Sequence, residues 1–197
     1  MPGGVDRAAA DGGGGGLRPE VAGMSPRPLA PVGLLAVIAA LAGCARQPLT
    51  GPPELRVGRD ECAECGMLVA EDRYSSASLV EREGERLYVF FDDIGCMVDF
   101  EYEQGEGTRV LERYVHDHES RAWVPGLEAA YVFADRESLR TPMGSGIAAL
   151  ARRDAAEALA AAHAGAVHDF KSLSVARREW MWARYGKPPD ARPVEPR

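Results

Sequence analysis

Between residues 75 and 117 the chain changes rhythm twice. SSASLVEREGERLYVFFDD, 75–93, alternates apolar and polar side chains on both sides of Glu83 and Gly84. Alternation with period two puts successive side chains on opposite faces of a strand. The stretch therefore predicts a hairpin of strands at about 76–82 and 86–91, turning at Glu-Gly. DIGCMVDFEYEQ, 93–104, instead has its apolar residues at 94, 97, 98 and 100, near the helical period. Asp92 or Asp93 supplies the N-cap that such a helix needs. TRVLERYVHD, 108–117, returns to the strand pattern, and the unit reads β-β-α-β.

The same order follows once more. RAWVPG and EAAYVFAD predict a second hairpin at about 120–124 and 128–134. DAAEALAAAHAG, 154–165, predicts an alanine-rich helix closed by Gly165, and AVHDF, 166–170, a closing strand. YVF recurs at 88–90 and 131–133, and VHD at 115–117 and 167–169. The repeat predicts an α+β fold of two tandem ββαβ units, 60–118 and 119–173. The second unit is longer, and its extra residues fall around ESLRTPMGSGIAAL, 137–150, where a functional loop would sit.

The flanks set the compartment. Residues 1–23 are rich in glycine and alanine, and Met24 begins a better leader, so Met24 is expected to be the true start. Arg27 is followed by an apolar run at 29–42, too short for a permanent transmembrane helix. LAGC, 41–44, resembles a bacterial lipobox, which makes 1–43 a signal segment and Cys44 the lipidated residue. The mature chain is then expected on the periplasmic side of a membrane, where disulfides are allowed and a lipid can anchor it. Residues 44–59 read as a Pro- and Gly-rich tether, and 174–197 as a charged, Pro-rich tail. The net charge of −7 is a poor match to a nucleic-acid partner.

The remaining chemistry is sulfur. ECAECGMLVA, 61–70, holds Cys62, Cys65 and Met67 within six positions. A structural zinc site wants a second pair of ligands, and Cys96, His116 and His118 are not spaced as one. A thioredoxin-like dithiol would open a helix after a strand, whereas CAEC precedes the first predicted strand. A structural Cys62–Cys65 disulfide stays open as a reading. Thiolate and thioether sulfur together suit copper(I). Met143 sits in TPMGSG, where a turn exposes it, while Met97 on the predicted helix reads as core filler.

CxxCGM near the mature start, then FFDDIGCM, YVHD, a Trp, YV and TPMGSGIAAL, resemble the NosL family in type and order over about 60–173. The resemblance implies two similar ββαβ units, like those of an organomercurial lyase. It also implies a copper(I) chaperone, not an enzyme, that serves maturation of nitrous oxide reductase in denitrification. On its motif the copper ligands fall on Cys65, Met67 and Met143, with Cys62, Cys96 and His116 as possible auxiliaries. The partners implied are an ABC-type copper maturation complex in the inner membrane and the apo reductase. Two rivals remain: an organomercurial-lyase-like enzyme using Cys65, Cys96 and Asp92 or Asp93, and a periplasmic CxxC thiol–disulfide protein.

Overall fold

The computed structural model describes residues 49–104 and 107–187. The signal segment and Cys44 lie outside them, as do residues 188–197 of the tail. Strands β1 (Ser76–Arg82) and β2 (Glu85–Phe91) form the first hairpin, and α1 (Ile94–Glu103) leads to β3 (Thr108–His116). β4 (Trp123–Pro125), β5 (Ala130–Phe133) and β6 (Ile147–Leu150) follow, then α2 (Arg153–Ala162), β7 (Ala166–His168) and α3 (Phe170–Tyr185). The result is an α+β fold with two antiparallel sheets, ordered β2-β1-β3-β4 and β6-β5-β7.

The first unit matches its sequence pattern closely. β1 is the middle strand, paired with β2 from Ser76↔Phe91 to Arg82↔Glu85 and with β3 from Ser76↔Val115 to Arg82↔Thr108. Asp93 is the N-cap of α1, its carboxylate accepting from the Gly95 amide. Met97 is fully buried, as a helix-face methionine in the core should be.

The second unit keeps the order ββαβ but draws on different residues. The predicted strand at 120–124 is displaced by β4, which joins the first sheet against β3. The partner of β5 is β6, IAAL, inside the segment read as insertion. All four residues of β6 are buried, so it shows the unbroken apolar run of a strand covered on both faces rather than an alternation. The hairpin loop, 134–146, carries TPMGSG. By connectivity β5 corresponds to β1, so YVF at 88–90 on β2 and YVF at 131–133 on β5 are not equivalent places. Tyr131 and Val132 are fully buried, whereas on β2 the core takes Val89 and Phe91 and leaves Tyr88 and Phe90 half-exposed. VHD does fall at equivalent strand ends, β3 and β7.

Residues 170–185, read as the end of a strand and the start of a tail, are instead the longest described helix. Asp169 caps α3 in a reciprocal pair with Ser172. Phe170 and Leu173 enter the core with Phe91, Ile94, Met97 and Tyr131. Arg177 and Arg178 turn inward on Asp99 of α1, Arg177 at 2.8 Å and Arg178 at 3.7 Å. Residues 51–60 are not a free tether either. Gly51 accepts from the Tyr88 hydroxyl and donates to Glu112, and Asp60 is buried against Arg56 at 2.6 Å. A parallel bridge, Asp117↔Ala149, joins the end of β3 to β6.

Candidate metal centre

Three stretches meet at one end of α1. The first is the CxxC loop. Its stem is a short antiparallel bridge, Glu61↔Leu68, and its turn is closed by Cys62 N–H to Met67 O at 2.7 Å and Gly66 N–H to Cys62 O at 2.8 Å. Gly66 has φ +72, a conformation that side chains with a Cβ rarely adopt. Ala63 N–H donates to Phe90 O at 2.8 Å and Ala70 N–H to the Asp92 carboxylate at 2.7 Å, which fastens the loop to the end of β2. Cys62 therefore points inward, 2% exposed, while Cys65, Met67 and Leu68 lie outside.

The second is the first turn of α1, where Cys96 is buried. The three sulfurs of Cys62, Cys65 and Cys96 lie within 4.8 Å of one another, and all three thiols are free. A metal about 2.3 Å from each of three thiolates in a plane needs sulfurs roughly 4 Å apart. Inward movement of under about 1 Å would close the triad on an ion.

The third is the loop 141–146, which is hung on Asp93. Its buried carboxylate accepts from Thr141 Oγ1 at 2.6 Å, from Met143 N–H at 3.0 Å, and from the Ser145 hydroxyl and amide, besides Gly95 N–H. Gly95 allows the close approach: a Cβ there would stand 2.4 Å from Ser145 Cβ. Met143 is thus held by its own backbone at the helix end that carries Cys96, and its side chain is 41% exposed.

The electrostatics favour one charge inside the site. The Cys62 thiol is brought down to about 5, chiefly because Cys96 donates its S–H to it, with help from the backbone amides of Asp92, Cys65 and Glu64. Cys96 is pushed up correspondingly, and burial raises Cys65. Cys62 is the thiolate of the pair, and Cys96 holds the proton that a metal would displace. Glu64 is pushed up to about 7 by burial and by Glu103, Asp99 and Cys62.

Of the residues picked out in the sequence, Cys62, Cys65 and Cys96 converge, Met143 is brought to the same helix end, and Met67 stands exposed on the CxxC loop. The two cysteines ranked as auxiliaries are as much part of the triad as Cys65. His116 is not part of it. Its Nδ1 pairs with Ser75 Oγ at 2.9 Å and its ring lies 3.6 Å from that of Trp123, so it closes a strand end. Asp93 was read only as a cap, and its second task as the anchor of a distant loop left no local signal.

The family model NosL matches residues 56–177. No curated protein matches the chain. Among solved structures, the crystal structure of the copper chaperone NosL from Shewanella denitrificans matches with a TM-score of 0.51 at 19% identity. The match covers 62% of this chain and 95% of that one, and at that identity it speaks for the fold. Among the described residues no helix is long and apolar enough to cross a membrane.

Proposed function

The chain belongs to the NosL family, and from that premise we propose that it is a copper(I) carrier whose cargo sits between the CxxC loop, the start of α1 and the TPMG loop. The observation that carries the reading is the convergence of Cys62, Cys65 and Cys96 within 4.8 Å. Three thiolates bind a soft ion strongly, and thioethers discriminate further in favour of copper(I) over hard ions. Met143 and Met67 supply those thioethers from the exposed side. Cys62 and Cys96 form the buried floor of the site and Cys65 its rim. An acceptor's sulfur would enter beside Cys65 and take the ion by ligand exchange, without a route through the core.

The wider setting follows from the family. Lipidation at Cys44 would hold the carrier on the periplasmic side of a membrane, beside an ABC-type maturation complex, with the apo form of nitrous oxide reductase as the final recipient. Carbon–metal bond cleavage of the lyase type would need a proton donor at the thiols. Asp92 is one candidate, since Cys62 is among the groups that raise it after burial. Its carboxylate is already committed to the Ala70 amide, which favours the carrier.

The test is an anaerobic copper(I) competition titration against a chromogenic chelator. One tightly bound ion is expected, with large losses of affinity in Cys65→Ser and Cys96→Ser, smaller ones in Met143→Leu and Met67→Leu, and none in Met97→Leu. A wild-type protein that leaves copper with the chelator, or a Cys96→Ser protein that binds as wild type, overturns the site.

A further inference from the structure

Beside the residues that lead into the TPMG loop lies a hollow of about 460 Å³, lined by Glu71, Arg73, Tyr74, His118, Ser138–Arg140 and His163. It is separate from the thiols, and the copper reading makes no use of it. Arg73 and Arg140 both line it. Arg73 gives one N–H to His118 O at 3.2 Å, and neither it nor Arg140 has a carboxylate partner among the described residues.

The histidines can be assigned by their partners. His163 Nδ1 lies 2.9 Å from Ser138 O, which can only accept, so Nδ1 carries the proton. His118 Nδ1 is buried with no hydrogen-bond partner. A buried N–H without an acceptor is rarely left in a protein, so the His118 proton belongs on Nε2, which has no protein partner and is not buried. Its lining thus offers two arginines with no carboxylate partner among the described residues, an imidazole N–H and Tyr74. Glu71 is the one carboxylate among the lining residues, while Asp117 and Glu119 also act on His118 and Asp93 on Tyr74.

We propose that this hollow is a binding site for a phosphate-type oxyanion. Arginine forks fit tetrahedral oxyanions in two-point hydrogen bonding, and His118 Nε2–H and the Tyr74 hydroxyl supply neutral donors beside them. Arg140 and Thr141 are neighbours in the chain, so an oxyanion held by Arg140 bears directly on the loop that Asp93 holds. Occupancy would stiffen the presentation of Met143.

The test uses the full chain in its metal-free form, titrated with inorganic phosphate and followed by calorimetry and by the Met143 methyl resonance, assigned with Met143→Leu. Binding at millimolar phosphate or tighter is expected, with a shift of that resonance. Arg140→Gln and Arg73→Gln should each weaken binding about tenfold, Glu71→Gln should tighten it, and Lys171→Gln, a surface cation on α3, should change nothing. Flotation of the Cys44→Ser protein, which carries no lipid anchor, with phosphatidylglycerol vesicles, against phosphatidylcholine vesicles, tells the source. Flotation lost in Arg140→Gln identifies a lipid headgroup, and phosphate binding without flotation identifies the free ion. No phosphate binding above the Arg140→Gln protein, together with no Arg140-dependent flotation, overturns the proposal. So does Glu71→Gln weakening the binding, because the charge argument requires the opposite sign.

Discussion

Asp93→Asn is the substitution that separates how the site is built from what it binds. The carboxylate is fully buried and accepts five hydrogen bonds, one of them local, from Gly95 N–H, and four from the loop 48–52 residues later in the chain. An asparagine keeps one oxygen, which can stay with Gly95 N–H and the Ser145 hydroxyl. Its NH2 group then faces the Met143 and Ser145 amides, which cannot turn into acceptors, while the Thr141 hydroxyl can rotate. Met143 N–H loses its acceptor at 3.0 Å, and Ser145 N–H loses a weak contact at 3.4 Å while keeping Thr141 Oγ1 at 2.9 Å. A hydrogen bond to a charged group contributes roughly 1.5–3 kcal/mol, so the cost should be about 2–4 kcal/mol, or a fall in Tm of about 5–15 °C. Copper(I) affinity should fall as well, and only through Met143. The assay is therefore a double-mutant cycle by copper(I) competition, with Asp93→Asn made in wild type and in Met143→Leu, and apo Tm measured beside it. In the Met143→Leu background the asparagine should cost Tm but no further affinity. An equal loss of affinity in both backgrounds would show that Asp93 does not act by presenting Met143, and the account of the anchor would fail.

Three further outcomes are expected. Gly95→Ala must push Ser145 and its loop away from the start of α1, so it should lower copper(I) affinity in the competition titration by about the same factor as Met143→Leu while leaving the Cys62–Cys65–Cys96 contribution intact. Glu64→Gln should stabilise the apo protein above about pH 7, where the wild-type carboxylate is charged against its surroundings, and the gain should vanish as pH falls towards 4.5 because both forms are then neutral; discounted for solvent screening it is about 1 kcal/mol, read as Tm against pH. Phe91→Ala, which empties a fully buried place edge-on to Phe100 at 5.1 Å, should cost roughly 3–5 kcal/mol in a denaturant titration, and Phe90→Ala on the half-exposed face less than half of that.

What could be read in advance depended on how local each signal was. β1, β2, α1 and β3 follow from period and from one N-cap, because each is two-faced and its apolar residues mark the inner face. β6 has four small or apolar residues in a row, all covered, and an unbroken run carries no phase. α3 turns two arginines inward instead of leucines, so its apolar stripe is broken, although Asp169 and Ser172 at capping spacing were a usable sign. In the site, CxxC and the methionine between Pro142 and Gly144 announce themselves, and the family resemblance ranked them. The equal standing of Cys96 could not be read from spacing, since it arises from a loop on β2 meeting the helix that follows β2.

The triad spans the β1–β2 hairpin, and that gives the ion a role in the life of the chain as well as in its task. In a fully extended chain Cys65 and Cys96 would be about 100 Å apart, and the finished fold brings their sulfurs within 4.8 Å. On the proposed function, an unfolded copy offers copper two neighbouring thiols and the third only at the entropic cost of closing the intervening loop, so loading would favour completed molecules. The bound ion then acts as a removable cross-link, and loaded molecules are the last of a population to open. Handing over the cargo undoes that link. On the proposed function, the carrier would be easiest to unfold, and to clear away, just after delivery.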